Sequence, residues 1–420
     1  MNDHLLRLLP AEAVADVRRS PSDASTLAAT SAILDDVRTR GADAVRDHAE
    51  RLGDLAPGAP LTLGPAALRA ALDSLDPSSR GVLERAADSI GSFARAQRRS
   101  LADIDVPIRG GRAGHRVVPV DRAGCYAPGG RAPLPSSVLM TAVTARIAGV
   151  AEVWVASPRP APATLAAAAI AGVDGFLCVG GAQAVAAFAY GAGVPRSDII
   201  VGPGNRWVTA AKGLVSNTVA IDMLAGPSEV LIIADDSAPP SLVAADLLAQ
   251  AEHDDDAVPI LVTTSAALPD AVDLQLRLQL AALQDATTAQ RALRNGFCVL
   301  VPTIDAAVTL SDRLAPEHLE VMTRDASAVA ARCRHYGGVF IGHSSAEVLG
   351  DYGVGPNHVL PTAGTARAAS GLSVLTFLRV RTWMTIDAPA ADLYRDVAAF
   401  ARIEGLEAHA RAAEARLAPG

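Results

Sequence analysis

From residue 23 to about residue 100, apolar side chains recur every three or four positions. They fall at Leu27, Ile33, Leu34 and Val37, and again at Leu83, Ala86, Ala87, Ile90 and Phe93, the period of helices that bury one stripe. Past residue 150 the pattern changes. Short β-rich runs at 153–156, 176–179, 199–201, 230–234, 260–263, 298–301 and 339–341 alternate with Ala-rich or amphipathic stretches at 162–171, 182–189, 207–215 and 240–253. Strand–helix–strand repetition predicts an α/β fold with parallel sheets of the doubly wound kind. Glycine and proline cluster where strands should end, at Ala127-Pro128-Gly129-Gly130, Gly180-Gly181, Gly202-Pro203-Gly204-Asn205 and Ala225-Gly226-Pro227-Ser228. In open parallel sheets the carboxyl ends of strands form the ligand crevice, and these loops fit one nucleotide-binding unit as well as ordinary turns. The Gly-x-Gly-x-x-Gly fingerprint is absent.

At 420 residues, half of them hydrophobic, the chain can bury two sizeable cores, and two or more domains are expected. A net charge of -8 without a basic run speaks against nucleic acid and membrane surfaces as partners. The first 20 residues lack the uninterrupted apolar region of a signal peptide, and Arg146 and Glu152 interrupt the apolar stretch at 138–156, so no transmembrane helix is expected. Cys125, Cys178, Cys298 and Cys333 form no Cys-x-x-Cys pair, which fits reduced thiols in the cytoplasm. Basic charge is almost all arginine. Lys212, the only lysine, is taken as a trace of genome composition.

Four histidines stand beside groups that could share chemistry with them. Gln250 and His253 are three residues apart near the end of a helical stretch, on one face, and can converge on an ion; His253 equally suits the negative pole of a helix. Glu317 and His318 follow Pro316, read as a helix start, where adjacent side chains would diverge toward different atoms of one substrate; a solvated helix start is the plainer alternative. Histidine titrates near neutrality and can take a proton from an alcohol, while a carboxylate can activate water. Asp351 and His358 occupy a Gly- and Pro-rich loop and offer hard oxygen and imidazole to a cation, or else form a capped turn. Glu404 and His409 lie on a plain amphipathic C-terminal helix, where a functional role requires the tail to fold back or reach another subunit.

In order and spacing, these segments resemble the histidinol dehydrogenase family from about residue 25 to 417. They comprise Gly124-Cys125-Tyr126-Ala127-Pro128-Gly129-Gly130, Gly180-Gly181-Ala182-Gln183-Ala184, Gly202 to Asn205, Ala225 to Val230, Gln250 to His253, Pro316 to Leu319, Gly350 to Thr362 and Glu404 to His409. The resemblance implies a homodimer with two incomplete Rossmann-like domains per chain, a helical N-terminal part and a C-terminal helical tail exchanged between subunits. The corresponding boundaries are an N-terminal helical segment at 1–24, a first domain at 25–120 plus 230–370, a second at 121–229, and a dimerisation tail at 371–420. It implies one zinc ion per site held by Gln250, His253, Asp351 and His409. Glu317 and His318 become the acid–base pair, and Ser228, His358 and Glu404 contact the substrate, together with His318 and the metal ligands. Tyr126, Gln183 and Asn205 become NAD contacts.

The implied reaction is two successive NAD-dependent oxidations of L-histidinol through the aldehyde to L-histidine. His318 would serve as base, Glu317 would activate water for the second step, and Cys125 and Cys178 would remain core residues. Two stretches depart from the familiar pattern: Arg379 to Met384, and the acidic turn Asp254-Asp255-Asp256. A relative oxidising another amino alcohol or a sulfonated diol is the nearest rival reading. A zinc hydrolase is the rival from another class, disfavoured by the three loops it would not need.

Overall fold

The structure, a computed structural model, describes residues 4–14, 23–129, 133–388 and 390–417. Gly130 and, in the expected N-terminal helical segment, residues 1–3 and 15–22 lie outside the described residues.

The helical stretch forms, with its buried stripe offset from the one read in the sequence. Helix Ala24–Arg40 starts where the Asp23 carboxylate accepts the Thr26 N–H at 2.7 Å, and it buries Thr26, Thr30, Leu34 and Val37 while Leu27 faces solvent. Asp76 caps helix Pro77–Arg99 in the same way, through the Ser79 N–H at 2.9 Å.

Among the described residues the strands form three sheets. The first has the order Arg7–Leu8, Phe297–Leu300, Val258–Thr263, Glu229–Ala234, His318–Met322 and Gly338–Ile341, all parallel. Its central strand is buried on both faces: Val230, Ile232 and Ala234 enter one core and Leu231 and Ile233 the other, the near-continuous apolar run expected of a covered parallel sheet. The second sheet has the order Thr62–Leu63, Gly175–Leu177, Glu152–Ala156, Arg122–Tyr126, Ile199–Val201 and Ala220–Ile221; only its first edge strand is antiparallel. Helices Pro135–Ala148, Pro162–Ile170, Gly181–Tyr190 and Arg206–Val215 join its strands.

Packing redraws two of the boundaries read from the sequence. Leu34, Val37, Val45, Leu68 and Ile90 share one core with the second sheet, so the helices between residues 24 and 99 cover that sheet and not the first. Their stripes match it because its strands are flanked by the Ala-rich helices against which those stripes pack. The N-terminal segment, expected to be helical, instead places Arg7 and Leu8 beside Phe297 and Cys298 as an edge strand, followed by the short turn Ala11–Ala13. The third sheet was not foreseen. Ile104–Ile108 and Gly111–Pro119 form a hairpin, and Leu378–Ile386 pairs antiparallel with its longer strand. The unfamiliar stretch from Arg379 to Met384 is therefore the middle of a strand, in register with Val118 to Ala113. Helices Ala391–Ile403 and Glu407–Glu414 then pack on each other through Ala398, Ala401, Ala410 and Ala413, and Arg109 of the hairpin binds Asp392 and Asp396.

Candidate active site

The glycine-rich loops of the second sheet lie at the carboxyl ends of its strands, as expected. The first sheet presents its amino ends. The segment 222–228 leaves the second sheet and enters strand Glu229–Ala234 directly, so Ser228 and Glu229 stand where that strand begins, and the register sets Val230 beside His318. The segment 357–363 ties the two halves together: Asn357 donates to the Met140 carbonyl at 2.8 Å, His358 Nε2 lies 3.5 Å from Ser137 Oγ, and Thr362 Oγ1 accepts the Gly226 N–H.

Glu317 and His318 do not start a helix. They open strand His318–Met322, because the helix before them ends at Leu314 with Ala315 in the left-handed region. Glu317 Oε2 accepts from Ser228 Oγ at 2.7 Å and from the Glu229 N–H at 3.0 Å, and Glu229 Oε1 accepts from the Glu317 N–H at 3.3 Å and the Ala363 N–H at 3.0 Å. Burial pushes Glu317 up to about 7, and burial together with the neighbouring Glu317 charge pushes Glu229 up to about 8. His318 is 3 % exposed, and that burial pulls its imidazole below the ordinary value. Its Nδ1 lies 3.0 Å from the Glu229 carbonyl, which can only accept, so Nδ1 carries the proton and Nε2 presents a lone pair. Among the described residues that nitrogen has no hydrogen-bond partner, and it faces Glu347 Oε1 at 3.5 Å.

Helix Pro240–His253 carries Gln250 and His253 at its last turn, on one face as their spacing predicts. Gln250 is fully buried, and both polar atoms of its carboxamide lack partners among the described residues. His253 Nε2 lies 3.5 Å from Asp351 Oδ2, and His358 Nδ1 3.2 Å from Asp351 Oδ1. Asp351 sits in the short helix Glu347–Tyr352, not in an irregular loop. Burial would raise its pKa, but the hydrogen bonds from His253 and His358 hold the carboxylate well below the ordinary range, and that same bond, against burial, raises His253 to about 9. Ligating atoms of His253, Glu347 and Asp351 lie within 4.8 Å of one another. This donor set suits a divalent cation: imidazole and carboxylate converge, and beside them a buried carboxamide has both polar atoms unpartnered. Sequence reasoning missed Glu347, which lies one helical turn before Asp351 and reads locally as a surface helix start; its burial is a purely tertiary fact.

Within one chain, His409 does not join the group. It and Glu404 are exposed on the C-terminal helical pair. Two of the three loop residues, Tyr126 and Gln183, meet around Gly180 and Gly181, while Asn205 caps its own helix. Tyr126 Oη accepts the Gly181 N–H at 3.2 Å, Gln183 Nε2 donates to Asp54 at 3.3 Å, and Asn205 caps helix Arg206–Val215 through the Trp207 and Val208 N–H groups. Tyr126 and Gln183 are buried, while Asn205 is exposed. Asp54, from the helical N-terminal part, also accepts the Gly180 N–H at 3.0 Å and had no sequence signal. All four cysteines are buried and unpaired, and burial pushes the Cys125 thiol up to about 12 and Cys178 to about 11, so neither forms a thiolate near neutrality.

The histidinol dehydrogenase family profile matches residues 17–417. A histidinol dehydrogenase from Aromatoleum aromaticum is 47 % identical over 405 residues, covering 94 % of this chain and 92 % of the relative. The chain belongs to the histidinol dehydrogenase family. Another member, from Thermobifida fusca, is 46 % identical over 426 residues, 98 % of this chain and 96 % of its own length. The crystal structure of histidinol dehydrogenase from Elizabethkingia anophelis superposes with a TM-score of 0.92 at 30 % identity, covering 99 % of both chains. A histidinol dehydrogenase is an oxidoreductase of histidine biosynthesis, and among the described residues no helix is long and apolar enough to cross a membrane.

Proposed function

We propose that this chain oxidises L-histidinol twice, through the aldehyde to L-histidine, as a cytoplasmic homodimer using NAD and one zinc ion per site. The observation that carries the reading is the convergence of His253 and Asp351, with the buried Gln250 carboxamide about one helical turn from His253 and without a partner among the described residues, next to the Glu317–His318 pair. Gln250, His253 and Asp351 are the residues of this chain that would hold the metal, with His409 of a second subunit as the fourth ligand. Zinc bound there supplies a Lewis acid for the substrate's nitrogen donors, and NAD near Tyr126, Gln183 and Asn205 supplies the hydride acceptor.

The chain's own residues account for the proton traffic. His318, neutral and with Nδ1 committed to the Glu229 carbonyl, takes the alcohol proton at Nε2 as the first oxidation proceeds. Glu317, its Oε2 fixed by Ser228 and Glu229, directs its other oxygen at water to hydrate the aldehyde, and His318 again accepts the proton released. Ser228, His358 and Glu404 contact the substrate. The high thiol pKa values support water over cysteine in the second step. Exposed Val380, Met384, Phe400 and Ile403 give the C-terminal third of the chain an apolar surface that suits a subunit interface.

The test is NADH formation from L-histidinol. Two NADH per histidinol, abolished by a chelator and restored by zinc, are expected; one NADH with free aldehyde accumulating, or turnover indifferent to chelation, would overturn the reading.

A further inference from the structure

Of 37 lysine and arginine residues only Lys212 is lysine, and composition alone assigns it no role. The fold gives it a specific place. Its side chain, on helix Arg206–Val215, is 3 % exposed; the ammonium donates to the Gly202 carbonyl at 3.0 Å and pairs with Asp222, whose side chain is 1 % exposed. Asp222 Oδ2 accepts the Gly202 N–H at 2.7 Å, and Oδ1 accepts the Met223 N–H at 2.6 Å. The two members of the buried pair thus hold the two backbone polar groups of one glycine. Gly202 has φ +114°, and a Cβ there would stand 2.0 Å from the Tyr126 carbonyl oxygen. Only glycine takes this turn, which lies directly against the end of the Tyr126 strand.

The choice of lysine follows from shape. A compact ammonium with three donors fits between a carbonyl and a carboxylate, whereas a planar guanidinium needs more room and spreads its donors in a fixed fork. A chain that uses arginine at every other basic position keeps lysine at the buried site where one ammonium serves a carbonyl and a carboxylate. The pair also reaches the other half of the molecule. Asp222 opens the segment 222–228 that ends at Ser228, the donor to Glu317, and Thr209, one turn before Lys212, donates to the Ala225 carbonyl at 2.9 Å.

We propose that Lys212 and Asp222 are positioning residues: their buried pair sets the Gly202–Asn205 turn for the nucleotide. This rests on the reading of Asn205 as part of the NAD site.

The experiment uses the zinc-loaded enzyme, titrated with NADH by fluorescence and assayed with NAD and histidinol. Lys212→Arg keeps the charge and changes the shape; Asp222→Asn keeps the shape and removes the charge; Asn205→Ala reports on the turn itself. In both clamp variants the NADH Kd and the KM for NAD should rise about ten-fold, as a displaced binding loop demands. Zinc content and the KM for histidinol should stay at the wild-type level. Unchanged NADH affinity in both clamp variants, with Asn205→Ala weakened, overturns the clamp alone. Unchanged affinity in Asn205→Ala as well overturns the nucleotide reading beneath it. Equal weakening of NADH and histidinol binding, with a parallel fall in thermal midpoint, assigns the pair to fold stability and overturns the positioning role.

Discussion

Glu317 and Glu229 are adjacent buried carboxyls with different surroundings, and their differences make separate predictions. Glu317 has one oxygen fixed by two donors, and in the proposed mechanism the other activates water, so Glu317→Gln should slow aldehyde oxidation about 10²-fold or more while sparing alcohol oxidation, since general-base assistance is needed only where water attacks. Single-turnover rates starting from histidinol and from histidinaldehyde measure this, and equal loss in both would reject the division of labour. Glu229 accepts two backbone N–H groups and has a folded pKa of about 8, above its ordinary 4.5. The fold therefore favours its protonated form. Its contribution to stability is complete below the unfolded value and is lost as pH rises through 8. The thermal midpoint should fall between about pH 4.5 and 8 and level off above it, and Glu229→Gln, which keeps an acceptor in place, should make that fall shallower; an unchanged slope would show that another group governs it.

Helix Pro240–His253 shows what element-level reasoning can read and what it cannot. Its span and the shared face of Gln250 and His253 were legible because apolar spacing and a terminal His mark a helix end. Strand His318–Met322 was not: it buries His318 and Glu320, and polar residues facing inward erase the apolar run by which the other strands announce themselves. The hairpin Ile104–Pro119 left a fainter trace. Ile104, Val106 and Ile108 alternate, but they are exposed, so their period points to no core. Glu347 and Asp54 could not be found locally, since only the tertiary fold carries them to the site. The legible helix yields the prediction for this scale. Gln250 contributes two buried polar atoms without a partner among the described residues, a cost of about 1–3 kcal/mol until they find one. Gln250→Met should therefore raise the thermal midpoint of chelated protein and lower zinc content; a destabilised chelated variant would mean that the carboxamide is already satisfied.

For the whole molecule, the exposed tail is the decisive feature. Glu404 and His409 face solvent in one chain, beside exposed Phe400 and Ile403. If each site draws His253 from one subunit and His409 from the other, then His253→Ala and His409→Ala homodimers should each be inactive. Their co-expressed heterodimer should regain up to half of wild-type activity and bound zinc, because one of its two sites receives both intact residues. Differently tagged chains and tandem purification isolate that species; a folded heterodimer without activity would mean that each site is built from a single chain.

The four hidden thiols have a practical consequence. Cys125 and Cys178 lie in the core of the second sheet, and Cys298 and Cys333 in the two cores flanking the first, so each half of the chain carries its own pair of silent alkylation sites. An alkylating reagent should leave the native enzyme untouched and modify each pair only when its half opens. Pulsed labelling read by peptide mass would then time the two halves separately, showing whether they loosen together or one at a time, without any label being engineered into the protein.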